Sequence, residues 1–123
     1  MITILYVDDE PDLLTLAQLF LEQDEEFSVK ISTSAREMLN SPGIRSYDAI
    51  VSDYQMPDMN GIEFLKGIRE QIGTIPFILF TGRGREEVVI EAINNGADFY
   101  LQKGGEPKAQ FAELAHKIRQ AVL

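Results

Sequence analysis

The sequence predicts an α/β protein of the doubly wound (βα)5 type, in which a five-stranded parallel sheet has the strand order 2-1-3-4-5. Two observations predict it: short apolar runs alternate strictly with longer amphipathic segments, and polar side chains stand at the ends of four apolar runs. Strict alternation requires right-handed crossovers between parallel strands, which place helices on both faces of the sheet. The 123 residues are enough for one such domain.

Five apolar or β-branched runs are predicted to be strands. The third run ends in Asp53, and Pro57 then prevents the segment from continuing as a ladder or a helix. The predicted strands are residues 2–7, 27–33, 48–53, 75–81 and 98–103. Polar side chains stand at the C-terminal ends of four of them, namely Asp8 and Asp9, Asp53, Thr81 and Lys103.

The predicted helices have recognisable start and stop signals. Pro11 and Pro107 each stand where a helix begins, and Gly96 ends the fourth helix. Ser34 and Asn60 are each followed three residues later by Glu, which is the pattern of a capping box. The predicted helices are residues 11–24, a short one after Ser34, one after Asn60, residues 85–95 and one from Pro107 onward.

The composition and the apolar pattern argue against a nucleic-acid-binding protein and against a secreted or membrane protein. Eleven basic against 20 acidic residues give a net charge of −9, which disfavours direct binding to nucleic acid. The absence of Cys excludes disulfides and thiolate metal sites and suits a reducing compartment. The sequence has neither a signal-peptide pattern nor an apolar run near the roughly 18 residues of a membrane span. We therefore expect a cytoplasmic protein that does not enter a membrane.

The strand order predicts one acidic site, because the crevice of such a sheet opens between the first and third strands. Asp8, Asp9 and Asp53 should converge there, and three close carboxylates raise one another's pKa unless a hard cation lies among them. Mg²⁺ prefers oxygen ligands and keeps several waters, so two carboxylates and a backbone carbonyl suffice to bind it. With Lys103 as a second cation and Thr81 as a hydroxyl donor, these are the parts needed to form an acyl phosphate on Asp53.

Each of these residues also has an ordinary structural interpretation. Asp8 and Asp9 could cap the first helix, and Asp53 could be a turn residue. Thr81 could bond within its own loop, and Lys103 could be a solvated surface residue. We favour the functional interpretation because four strand ends carry matching partners at once.

Four segments resemble the receiver domain of two-component response regulators, the CheY-like domain with a flavodoxin-like fold. They are residues 7–10, 53–61, 81–82 and 96–103, and their order and spacing match that family over the whole chain. The resemblance implies that residues 1–123 form one receiver domain, a phosphoprotein of phosphorelay signal transduction. It implies that a sensor histidine kinase donates a phosphoryl group to Asp53. Residues 98–106 are similar to receivers joined to sensory and kinase modules in methanogenic archaea.

The resemblance also implies roles at the metal site. Asp9 and Asp53 would bind Mg²⁺ directly, together with the backbone carbonyl of Gln55, and Asp8 would act through water. Lys103 would pair with the phosphoryl oxygens.

Two further residues are implied to form a switch. Thr81 would bond to the phosphoryl group, and Tyr100 would be the aromatic residue that turns inward. A downstream output protein or domain would then bind the surface formed by the fourth helix, fifth strand and fifth helix, and we also allow for a weak homodimer. The chain ends just after the fifth predicted helix, so we expect either a stand-alone receiver or one excised from a larger protein.

One position departs from the family pattern. The family usually has Pro after the Lys, in a cis peptide, whereas this chain has Gly104. We expect a trans peptide between Lys103 and Gly104, since a non-proline cis bond costs about 2.5–4 kcal/mol. Glycine can instead adopt backbone angles that keep the Lys directed at the site.

The main alternative function is a Mg²⁺-dependent phosphatase of the haloacid dehalogenase type, which also has an Asp nucleophile. Those enzymes carry a general acid two residues after it, but here that residue is Gln55, which cannot transfer a proton. Slow loss of the phosphoryl group suits a signal, so we expect self-phosphorylation and slow autodephosphorylation only, not turnover. A nucleotide or flavin module would need a phosphate-binding Gly-rich loop, and a plain interaction domain would not need Asp53, Thr81 and Lys103 intact.

Overall fold

The computed structural model describes residues 1–82 and 86–123 of the chain. Its strands are β1 (Ile2–Val7), β2 (Phe27–Ser32), β3 (Ala49–Ser52), β4 (Phe77–Thr81) and β5 (Phe99–Gln102). Its helices are α1 (Pro11–Glu22), α2 (Ala35–Leu39), α3 (Gly61–Gln71), α4 (Glu86–Asn94) and α5 (Pro107–Val122), with a short 3-10 turn at Ile44–Ser46. The predicted fourth helix began at residue 85, which lies outside the described residues.

All five strands belong to one parallel sheet in the order β2-β1-β3-β4-β5, which confirms the predicted fold. The register aligns the C-terminal ends of neighbouring strands: Val7 lies opposite both Ser32 and Ser52, and Thr81 lies opposite Gln102. The residues that follow these ends therefore share one edge of the sheet.

The core lies in two layers because side chains alternate between the faces of each strand. Ile4 and Tyr6 of β1 pack with α1 and α5, whereas Leu5 and Val7 pack with α2, α3 and α4. The central strands β3 and β4 are buried on both faces, which explains their continuous apolar sequences. No helix within residues 1–82 and 86–123 is long and apolar enough to span a membrane.

Caps fix the starts of the helices that border this edge. At α3, the Asn60 side chain accepts from the N–H of Glu63 and the Glu63 carboxylate accepts from the N–H of Asn60, both at 2.9 Å, as the capping-box pattern predicts. At α5, the carboxylate of Glu106 accepts from the N–H groups of Lys108 and Ala109 at 3.1 Å each.

Strand β4 is shorter than the predicted 75–81 because Pro76 has no N–H to donate to the ladder. The carbonyl of Pro76 still accepts from the N–H of Ile50 at 2.8 Å. The carbonyl of Ile75 accepts instead from Arg69, at 2.7 Å, and so has left the sheet.

Strands β3 and β5 also stop one residue earlier than predicted, at Ser52 and Gln102. Asp53 and Lys103 therefore lie in the loops that leave the sheet. Helix α1 ends at Glu22 instead of residue 24, since the Asp24 N–H bonds only to the Leu21 carbonyl in a tight turn.

Candidate functional site

Asp53 lies directly after β3, in a backbone that is fixed on two sides. Its N–H donates to the carbonyl of Val7 at 3.0 Å, and its carboxylate Oδ1 accepts from the N–H of Tyr54 at 2.8 Å. The start of α3 approaches so closely that a Cβ on Gly61 would lie 2.3 Å from the Asp53 carbonyl oxygen. Glycine is needed there to let the helix reach the strand end.

Three carboxylates meet at this edge, as the strand order predicts. Ligand atoms of Asp8, Asp9 and Asp53 all lie within 4.8 Å of one another. Asp8 is fully buried and the Asp53 side chain is 12% exposed, while Asp9 is the most exposed of the three. Gln55 and Asp9 line an open depression of about 430 Å³ beside the cluster.

This donor set fits Mg²⁺, which binds oxygen ligands and accepts a site that leaves part of its shell to water. Two of the carboxylates are largely withdrawn from solvent, where their mutual repulsion is strong unless a cation offsets it. The acidic cluster is therefore suited to a divalent cation.

Lys103 provides a positive charge at the cluster. Its Nζ donates to Oδ2 of Asp8 at 2.7 Å and lies 3.8 Å from Oδ1 of Asp53. The ammonium also stands over the ring of Phe80, 5.7 Å from its centroid. Lys103 thus reaches the predicted site, but Asp8 is its nearer partner.

Burial raises the pKa of the Asp53 carboxyl above its usual range. The charge of Lys103 lowers this pKa, that of Asp8 raises it, and the Thr81 hydroxyl and the Tyr54 N–H lower it again. The net direction is upward, so desolvation outweighs the attraction of Lys103. Burial, with the charges of Asp8 and Asp53, also raises the pKa of the Tyr6 phenol, which stays protonated.

Thr81 and Tyr100 lie on neighbouring strands beside this cluster. Thr81, only 2% exposed, ends β4, and its carbonyl accepts from the N–H of Lys103 at 2.8 Å. Tyr100 packs against the α2–α3–α4 layer, and its hydroxyl is buried with no hydrogen-bond partner among the described residues. Burial and the charge of Asp53 raise the pKa of Tyr100.

The loop after Lys103 takes the expected trans form. The peptide between Lys103 and Gly104 is trans, and Gly104 has a φ of +136°, a conformation that favours glycine. The side-chain oxygen of Gln110, in α5, accepts from the N–H groups of Gly104 and Gly105 at 2.7 and 3.1 Å. Gln110 could not be identified from the sequence, because its contact depends on the loop conformation and not on a local pattern.

The sequence of the chain is similar to a known family of proteins. The family model described as "Response regulator receiver domain" matches residues 4–116. The response regulator SaeR of Staphylococcus aureus is 34% identical over 105 residues, which cover 85% of this chain and 45% of that protein. The matched region therefore covers less than half of this relative, and the chain is about half as long as that protein.

Solved structures show the same architecture. The response regulator domain of Thermotoga maritima CheB superposes with a TM-score of 0.89 at 27% identity, covering 99% of this chain and 96% of that one. A receiver domain protein from Clostridium thermocellum gives 0.87 at 27% identity, covering 99% and 94%. The chemotaxis protein CheY4 of Vibrio cholerae gives 0.82 at 30% identity, covering 100% and 99%.

Proposed function

Because this chain belongs to the response regulator receiver domain family of two-component systems, we propose that it is a phosphorylation-dependent switch that accepts a phosphoryl group on Asp53. Residues 1–123 would form the receiver domain, and a sensor histidine kinase would be the donor. Receiver domains of this family are signalling switches and not typical enzymes. The observation that carries the proposal is the Asp53 carboxylate, which lies 3.8 Å from the ammonium of Lys103 inside an acidic cluster.

In the proposed transfer, a carboxylate oxygen of Asp53 forms a bond to the phosphorus of a phosphohistidine. The phosphorus–nitrogen bond breaks, and its electron pair returns to the donor imidazole. The product is an acyl phosphate. Lys103 would shift from Asp8 towards the new phosphoryl oxygens, a short move given its 2.7 and 3.8 Å distances from the two carboxylates. The Thr81 hydroxyl would donate to one of those oxygens.

The metal would be held by Asp9, Asp53 and the backbone carbonyl of Gln55, with Asp8 acting through water. When bound, Mg²⁺ neutralises charge on the phosphoryl oxygens. The amide of Gln55 cannot act as a general acid for hydrolysis of the acyl phosphate, so we expect the phosphoryl group to leave slowly. Apart from accepting the phosphoryl group of the kinase, the chain would carry out only self-phosphorylation by small acyl phosphates and slow autodephosphorylation.

The switch would act through Thr81 and Tyr100 on the surface formed by α4, β5 and α5. Tyr100 is already partly buried, and its hydroxyl has no hydrogen-bond partner among residues 1–82 and 86–123. That hydroxyl could therefore form a new hydrogen bond when Thr81 turns to the phosphoryl group. Ile90 and Ile93 of α4 are 51% and 61% exposed and offer apolar area to an output partner or a second copy of the chain. The expected shift of the loop at residues 82–84 falls mostly on residues outside the described part.

Labelling with acetyl phosphate tests this function. Intact-mass measurement should show one added phosphoryl group in the presence of Mg²⁺ and little without it. Asp53→Asn should abolish the addition, whereas Asp12→Asn, an exposed carboxylate in the first turn of α1, should not. Undiminished labelling of Asp53→Asn would show that another residue is the acceptor. The cytoplasmic location and the similarity to receivers of methanogenic archaea remain predictions.

A further inference from the structure

One side chain of α5 holds the loop that follows the site lysine. The Oε1 atom of Gln110 accepts from two successive backbone N–H groups, those of Gly104 and Gly105, at 2.7 and 3.1 Å. The φ of +136° at Gly104 accompanies this convergence of two N–H groups on one oxygen, an arrangement also seen in anion-binding turns. Here a neutral side chain fills the place that an anion takes in such turns.

Gln110 is itself firmly placed. Its own N–H donates to the carbonyl of Glu106 at 2.9 Å, within a helix start that the Glu106 carboxylate caps. The next residue, Phe111, is 5% exposed and packs with Phe80 and Phe20 at centroid distances of 6.2 and 5.5 Å. The helix therefore presents the Gln110 side chain from a fixed backbone.

The loop matters because Lys103 immediately precedes it. The N–H of Lys103 is bonded to the Thr81 carbonyl, and the next two N–H groups are bonded to Gln110. Without Gln110, two consecutive glycines would leave the backbone after Lys103 free to sample many conformations. The Lys103 ammonium, 3.8 Å from Asp53, would then occupy a wider range of positions.

We propose that Gln110 is a positioning residue that keeps Lys103 directed at the phosphoryl group on Asp53. It would supply, by hydrogen bonds, the stiffness that Pro usually gives at the position of Gly104 in this family. This inference rests on the proposed function, since it assigns a role in the same transfer.

The test compares Gln110→Ala and Gln110→Glu with Gln120→Ala, a matched control at an exposed position of the same helix. We expect Gln110→Ala to lower the rate constant for labelling by acetyl phosphate about tenfold, as the loss of a pair of hydrogen bonds implies. Amide hydrogen exchange at Gly104 and Gly105 should accelerate by a similar factor. Gln110→Glu keeps an acceptor oxygen at the same reach and should restore both quantities, and Gln120→Ala should match the wild type.

The double variant with Lys103→Ala distinguishes a positioning role of Gln110 from a general loss of structure. If Gln110 acts through Lys103, Gln110→Ala should cause no further loss of rate in the Lys103→Ala background. An equal further loss there would overturn the positioning role, as would an unchanged rate in Gln110→Ala alone. Unchanged exchange at the two glycines would refute the hydrogen bonds themselves. A wild-type protein that takes no label would refute the proposed function and this role with it, while the exchange rates would still decide whether Gln110 holds the loop.

Discussion

Replacing Gly61 by Ala should destabilise the protein, because there is no room for a methyl group where α3 meets the end of β3. The new Cβ would lie 2.3 Å from the carbonyl oxygen of Asp53 and 2.7 Å from Cδ1 of Leu79. The leucine can turn away, but the carbonyl belongs to the backbone and cannot. Relief to 3.0 Å, the shortest distance that real Cβ atoms show, requires the helix to retreat by about 0.7 Å.

The size of the effect follows from the contacts that this retreat disturbs. Overpacking of a buried position costs about 1–3 kcal/mol, and the 2.9 Å bond from the Gly61 N–H to the Tyr54 carbonyl contributes about 1 kcal/mol. The better helix propensity of Ala offsets at most about 1 kcal/mol. We therefore expect the free energy of unfolding to fall by about 2 kcal/mol, which lowers the melting temperature by roughly 6–10 °C in a domain of this size.

Urea and thermal unfolding followed by circular dichroism would measure this change. Gly43→Ala is the matched control, since its Cβ would meet nothing closer than the Ser41 Oγ at 3.9 Å and its φ is −85°. That variant should stay within about 0.5 kcal/mol of the wild type. A Gly61→Ala protein as stable as the Gly43→Ala protein would mean that α3 does not press on the Asp53 backbone as described.

Two further predictions concern the charges of the cluster. Since the pKa of Asp53 is raised by folding, its ionisation costs stability as the pH rises through that pKa, and the cost is absent below the pKa of the unfolded chain. Asp53→Asn should accordingly be more stable than the wild type at neutral pH without Mg²⁺. The difference between their urea midpoints should close in acid. A difference that widens in acid would contradict the upward direction of the Asp53 pKa shift. Millimolar Mg²⁺ should raise the melting temperature of the wild type and of Asp12→Asn. It should raise that of Asp9→Asn much less, because a bound ligand stabilises the folded state only through its binding site. Equal shifts in all three proteins would argue against the acidic cluster as the metal site.

The sequence was sufficient to predict the sheet, its strand order and the meeting of the carboxylates. Buried parallel strands have continuous apolar sequences, and parallel strands end at one edge, so Asp8 and Asp53 had to be neighbours once the order was known. The capping-box pattern was confirmed in full at Asn60. At Ser34 only one of its two bonds is present among the described residues, from the N–H of Glu37 to the Ser34 hydroxyl oxygen.

Contacts that depend on side-chain conformation or on distant loops could not be predicted. Nothing in the sequence says that Lys103 lies nearer to Asp8 than to Asp53, since its long side chain can reach both. The role of Gln110 was missed because its hydrogen bonds depend on the conformation of the loop at Gly104 and Gly105. The φ of +71° at Asp58 and its 2.6 Å ion pair with Arg36, 22 residues away, likewise arise only when α2 and the loop before α3 are packed together.

The two layers of the core differ in when they can form as the chain refolds. The layer between the sheet and α2, α3 and α4 draws its helices from residues 35–94, so it can assemble from segments near one another in sequence. The opposite layer joins α1 to α5: the Phe20 ring stacks on Phe111, and Arg119 pairs with Glu26 across 93 residues. Closing so long a loop has an entropic cost that must be met before the contacts form, which favours late docking of the last helix. Since Gln110 belongs to that helix, we expect the loop that carries Lys103 to gain its final shape late in folding.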